Sequence, residues 1–176
     1  MPPLQLLLLS RADRTQVRQL QAVLEAAPAY HINTGGSPAC ASEAESTLGA
    51  LPPDFPRENK FTFAIVRAGS LIGCVDLLRG YPEPHQAMLG LLLLREDAQG
   101  KGAGRTSFRA VEAIVQGWPE INAIRIGVVE ANANVLGFWQ KMGFRDTGLR
   151  RPFKNGPIRS LTMVLEKSLP SDPNEP

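Results

Sequence analysis

The stretch LLLLREDAQGKGAG, residues 91–104, decides the reading. Its four leucines continue an apolar run that begins at Ala87, as expected of a central strand covered on both faces. The run enters a turn carrying Gly100, Gly102 and Gly104, and a helix-patterned segment opens near Arg105. Glycine tolerates positive φ and lets backbone approach a ligand closely. A glycine turn that opens a helix also gathers unpaired N–H groups at one point. The helix dipole adds positive potential there, which favours an anion such as a pyrophosphate. An ordinary strand-to-helix connection accounts for the turn equally well, so on the turn alone both readings stay open. Two familiar phosphate loops fail on spacing. The dinucleotide fingerprint needs G-x-G-x-x-G, whereas these glycines give G-x-G-x-G; the Walker loop needs Ser or Thr after its Lys, whereas Gly102 follows Lys101.

Composition narrows the classes. A chain of 176 residues, 43% hydrophobic and 20% charged, fits one globular domain with a sizeable core. The net charge of +2 and the lack of a basic run interleaved with aromatics set nucleic acid aside as a partner. Cys40 and Cys74 stand in no metal-like spacing, so neither a metal site nor an oxidising compartment is called for. The apolar residues 4–9 have no basic residue before them and no small-residue cleavage site after them. No run is long enough to span a bilayer. A cytoplasmic protein without membrane contact is expected.

Taken in order, residues 4–9 read as a buried first strand. Asp13, with Gln16 three residues on, reads as the cap of a helix whose apolar face is Val17, Leu20, Val23, Leu24 and Ala27, ending at Pro28. Residues 28–60 are rich in Gly and Pro and suggest a connection holding one short helix over 42–51. A hairpin follows over 61–67 and 71–79, with Asp76 expected to face solvent, then a fourth strand over 85–94. The helix after the glycine turn presents Phe108, Val111 and Val115 inward, with Arg109 and Glu112 toward solvent. Residues 121–129 form a fifth strand. Asn132 is placed to cap a helix bearing a core stripe of Val135, Phe138, Trp139 and Met142 and ending at Gly143. Strands over 144–148 and 158–167 flank a basic loop over 150–157, and 168–176 reads as a tail.

Gln99, Gly102 and Gly104 fill the fixed positions of [QR]-x-x-G-x-[GA], with Gly100, Lys101 and Ala103 between them. The stretch therefore resembles the acyl-CoA loop of the GNAT superfamily of N-acyltransferases. Residues 132–144, NANVLGFWQKMGF, are similar to that family's second signature, an Asn followed by a helix ending in [FL]-Y-x-K-x-G-F. Asn132, Phe138, Lys141, Gly143 and Phe144 match, and Trp139 stands where the family usually has Tyr. The likeness extends more loosely over residues 4–167.

The resemblance implies an α/β (α+β) fold. Its sheet would be mixed, largely antiparallel and twisted, with about seven strands flanked by helices and a splay between strands four and five. It implies one domain over 1–167 with a flexible tail over 168–176. Acetyl-CoA would be the acyl donor. Its pantetheine arm would pair with Leu92, Leu93 and Leu94, and its pyrophosphate would lie over the loop from Gln99 through Gly100, Lys101, Gly102, Ala103 and Gly104 to Arg105. Asn132 would contact the cofactor arm, and Trp139 would be a further cofactor-binding residue. The region between the first two helices would wall the acceptor pocket. Family members are often homodimers.

The implied reaction is acetyl transfer to the primary amine of a small molecule or peptide, by direct attack in a ternary complex. It needs a neutral amine, a polarised thioester carbonyl and a proton for the leaving thiolate. An indole N–H donates a hydrogen bond but does not release its proton, so Trp139 cannot act as the tyrosine would. Residues 88–92 and 126–128, where relatives carry a basic Glu, contain no carboxylate. His85 and Glu83, before the fourth strand, are the leading candidates for the general base, with Asp76 on the third strand and Glu130 after the fifth as further candidates. A non-catalytic acyl-CoA-binding sensor of the same fold is the alternative, since the loop would survive there while acid–base groups decayed.

Overall fold

In the computed structural model, which describes residues 3–170, the elements run β1 (Leu4–Leu8), α1 (Arg14–Glu25), α2 (Pro28–Gly35), α3 (Glu43–Gly49), β2 (Lys60–Arg67), β3 (Ser70–Arg79), β4 (Gln86–Leu94), α4 (Ala103–Gln116), β5 (Ala123–Val129), α5 (Leu136–Lys141), β6 (Arg145–Asn155) and β7 (Ile158–Ser168). The strands form one seven-stranded sheet in the order β1-β2-β3-β4-β5-β7-β6. Every neighbouring pair is antiparallel except β4 and β5, which are parallel.

Alternation along the strands divides the core between the two faces of the sheet. Val75 and Leu77 of β3 join Phe108, Val111 and Val115 of α4, Ile124 and Ile126 of β5, and Trp139 of α5 on one face. Cys74 of β3 and Leu93 of β4 join Leu20 and Leu24 of α1 and Leu48 of α3 on the other. α1 starts at the cap that Asp13 implies. Asp13 Oδ1 accepts from the N–H groups of Thr15 at 2.9 Å and Gln16 at 3.1 Å. The Gln16 side chain accepts from Ser10 N–H at 2.8 Å rather than from the cap residue, so the box closes over the preceding turn instead.

The sheet's edges account for two differences from the sequence reading. β1 pairs with β2 alone, so Leu7 and Leu8 are 51% and 59% exposed and the strand is not buried. β6, at the opposite edge, is exposed on both faces apart from Phe153 and lacks the period-two pattern that marks a half-buried strand. The expected basic loop over 150–157 is therefore mostly strand, with Arg150, Arg151 and Lys154 all in β6, and the connection to β7 shrinks to Gly156 and Pro157. Pro152 is tolerated because its strand lies at an edge.

Three further differences are local. Pro28 begins a helix, α2, as well as ending one, because a proline in the first turn lacks only an N–H that would go unpaired anyway. Glu112 is buried rather than solvent-facing: Arg109 donates to it at 2.7 Å, and Lys167 of β7 reaches it across α4. β7 continues through Ser168, and Leu169 is buried with its N–H on the Asn122 carbonyl at 2.8 Å. The first residues of the expected tail thus belong to the folded unit, while residues 171–176 lie outside the described residues. No helix among the described residues is long and apolar enough to cross a membrane.

His31 of α2 is 8% exposed and its Nε2 has no partner among the described residues. Burial lowers its pKa below the ordinary 6.5, against a smaller opposing pull from Glu43. The unfolded chain therefore binds this proton more readily than the folded one. The stabilising contribution is complete above the ordinary value and is lost as pH falls through it toward the folded pKa. His31→Gln should flatten the drop in melting temperature between neutral pH and about pH 5.5; equal drops in both proteins would show that His31 binds its proton equally well in the folded and unfolded chains.

Candidate active site

β4 and β5 are hydrogen-bonded only where residues 86–88 face 123–125. Beyond that point β4 stays with β3 up to Leu94, and β5 stays with β7 up to Val129, so the two strands part. A cavity of about 790 Å³ opens between them. Its walls are residues 89–94 of β4, residues 126–129 of β5, the glycine turn, part of α2, and the segment from Asn132 into α5. An extended ligand bearing amides can pair with strand edges parted in this way, as an added strand does.

The glycine turn closes the cavity at the open end of the gap. Gln99 Nε2 donates to the Leu94 carbonyl at 3.0 Å, tying the turn to the end of β4. Gly100 and Gly102 have φ of +74° and +77°, and a Cβ on either would meet nothing within 4 Å. Backbone conformation, not space, is what requires glycine at these two positions. Gly102 caps α4 without any side-chain hydrogen bond, leaving the N–H groups of the first turn facing the cavity mouth. Gly104 answers a different constraint: its Cβ would lie 3.3 Å from the Phe138 ring, so its absence lets α4 and α5 approach. Ala103 is buried, and its methyl group belongs to the core. Lys101 and Arg105 lie on the wall, and Lys101 Nζ reaches the Asp97 carbonyl at 3.4 Å.

Asn132 is on the wall but caps no helix. Its φ and ψ of −115° and 26° sit inside a 3₁₀ segment, Glu130–Val135, and α5 starts at Leu136. Its Oδ1 is instead 3.5 Å from Asn33 Nδ2 of α2, so the two amides join across the cavity. Trp139 touches the cavity while remaining 8% exposed. Its ring meets Phe138, Phe144 and Phe108 edge-on, at 4.9, 5.2 and 5.8 Å between centroids.

His85 and Glu83 are brought to a different place. Both are exposed in the turn before β4, past the paired end of the gap, and neither lines the cavity. Residues 86–88, the paired part of β4, stand between them and the nearest wall residue, Leu89. Glu130 also lies off the wall. Among the described residues lining the cavity there is no carboxylate. The contribution that sequence reasoning missed is α2. It supplies Tyr30, Asn33 and Thr34 to the wall, and burial pushes the Tyr30 phenol up to about 12, so it stays protonated. The proline that opens α2 concealed it.

Residues 24–144 match the model of the acetyltransferase (GNAT) family. The chain belongs to this family. It is similar over 96% of its length to the whole of an acetyltransferase from Thermus thermophilus, with 26% identity and a TM-score of 0.73. A GNAT family acetyltransferase from Elizabethkingia anophelis with acetyl-CoA bound shares the fold at 14% identity and a TM-score of 0.63, over 94% of this chain and 98% of that one. Spermidine N-acetyltransferase from Vibrio cholerae, in complex with CoA and spermine, shares it at 19% identity and a TM-score of 0.69, over 94% and 95%. No curated protein matches the chain. The mixed seven-stranded sheet with its β4–β5 splay is the fold that the resemblance implied. Because Gly104 holds α4 against Phe138, Gly104→Val should lower stability by about 1–3 kcal/mol through overpacking. A urea midpoint equal to that of the unchanged protein would show that the two helices part freely.

Proposed function

We propose that this acetyltransferase moves the acetyl group of acetyl-CoA to a primary amine of a small molecule or peptide, by direct attack in a ternary complex, in the cytoplasm. The observation that carries the reading is the continuity of the β4–β5 gap with the glycine turn at the start of α4. A strand-like pantetheine arm fits the first part, along Leu92, Leu93 and Leu94, and a pyrophosphate fits the second. Lys101 and Arg105 add positive charge beside the turn, and Asn132 offers an amide to the arm. The acetyl-CoA in the Elizabethkingia protein and the spermine in the Vibrio protein support the donor class and the acceptor class.

The chemistry is addition and elimination at the thioester. The amine nitrogen attacks the carbonyl carbon, the C–N bond forms as the C–S bond breaks, and the thiolate takes up a proton. A backbone N–H on the free edge of β4 would polarise the carbonyl, a role any residue type can fill. Trp139 cannot supply the proton; Tyr30, a neutral phenol on the same wall, can donate a hydrogen bond to the departing sulfur. The carboxylate-free wall and Trp139 favour a second reading, an acyl-CoA sensor without turnover.

Calorimetric titration with acetyl-CoA, followed by free-thiol release over pools of primary amines, separates these readings. Saturable binding with amine-dependent release is expected. Binding with no release from any pool would leave the sensor. Gly102→Val, which forces a β-branched residue to positive φ, should weaken CoA binding roughly ten-fold or more. Unchanged affinity would remove the pyrophosphate from the turn.

A further inference from the structure

One carboxylate stands directly behind the carboxylate-free wall. The register between β3 and β4 passes from Leu77 opposite Leu89 to Asp76 opposite Leu91, so Gly90 is an extra residue, a bulge in β4. Gly90 is exposed and lies on the cavity wall. A Cβ built on it would sit 3.4 Å from Asp76 Oδ2. The carboxylate thus fills, from β3, the space that a side chain on β4 would take.

Asp76 was expected to face solvent, but its side chain is 18% exposed, and the Lys60 side chain beside it is 4% exposed. Lys60 Nζ at 2.5 Å and Thr62 Oγ1 at 2.9 Å both donate to Oδ1. Oδ2 receives no hydrogen bond among the described residues, so the oxygen nearest the wall is the free one. This arrangement is a held carboxylate with one working lone-pair site, next to the gap. Around it, Lys60 on β2 supplies the opposite charge. Cys74 precedes it by two residues on the same face, and Tyr30 of α2 packs in the same cluster as Cys74. The thiol and the phenol are neutral, each pushed up to about 12 by burial.

We propose that Asp76 is the general base, its Oδ2 taking the proton from the ammonium form of the acceptor as that amine enters beside Gly90. The inference rests on the transferase reading above. The ammonium gives one proton to the carboxylate, and the freed lone pair forms the C–N bond as the C–S bond breaks. The nitrogen's surplus proton leaves with the sulfur as free thiol, and Asp76 returns its own proton to solvent. Lys60 and Thr62 are positioning residues that fix Oδ1 and aim Oδ2.

Two variants test this. Asp76→Asn removes the base but strips buried Lys60 of its partner; Gly90→Val keeps the pair and covers Oδ2 from the cavity side. Gly90 has no positive φ, so the backbone accepts the change. The probes are acetyl-CoA with spermidine, tyramine and an alanine-terminated peptide, and with hydroxylamine, whose nitrogen is already neutral at neutral pH. Both variants should lose roughly 10²-fold or more of kcat with the protonated amines and far less with hydroxylamine. Their rates with the protonated amines should climb with pH as solution supplies neutral amine, and Asp76→Asn should keep its CoA affinity. If Asp76→Asn does not fold, Gly90→Val decides alone. Release by the variants matching the unchanged protein at every pH would overturn the base and leave the transferase standing. An unchanged protein that binds acetyl-CoA yet releases thiol with no probe would overturn both.

Discussion

Three residue pairs hold β4 to β5, and the functional architecture depends on the pairing stopping there. A sheet that continued to zip would satisfy its own backbone and leave nothing to bind. Each strand is instead committed on its far side, β4 to β3 and β5 to β7, with helices over both faces. The facing edges cannot drift together without breaking those ladders. Backbone N–H and C=O groups left unpaired in this way are costly when dry and useful when a ligand supplies the missing strand. The aromatic cluster of Phe108, Phe138, Trp139 and Phe144 wedges the region from the α4–α5 face, and α2 closes it from the other.

This constraint sorts what the sequence made legible from what it did not. The glycine turn was readable because positive φ at Gly100 and Gly102 restricts residue type, as does the approach of Phe138 at Gly104. The helix faces of α1 and α4 were readable because Leu20, Leu24, Phe108 and Val111 recur at helical period. Edge strands were not: β6 meets solvent on both sides and carries no alternation, while the leucines of β1 suggest a burial that an edge cannot provide. Glu112 escaped because its partner Lys167 is distant in sequence and arrives only with β7. Asn132, expected to cap α5, instead lines the gap and reaches Asn33.

The catalytic groups were the least legible, for a related reason. A base is defined by position against a substrate, and for the proposed base, Asp76, that position comes from a bulge and a cross-strand register that no local pattern announces. His85 and Glu83 are close in sequence to β4 yet lie past the paired end of the gap. Asp76, expected to face solvent yet kept among the candidate bases, is brought behind Gly90 by an extra residue in the neighbouring strand. Trp139, a departure from the family's usual tyrosine, is mostly a packing residue here and keeps one edge on the cavity.

The most direct test of the gap as the donor site is residue-resolved amide exchange of the full chain, with and without CoA. Slowed exchange at amides of residues 89–94, together with those opening α4 at Gly102, Ala103 and Gly104, is expected on CoA binding. Protection confined to other parts of the chain, with those amides unchanged, would contradict the placement of the donor between β4 and β5.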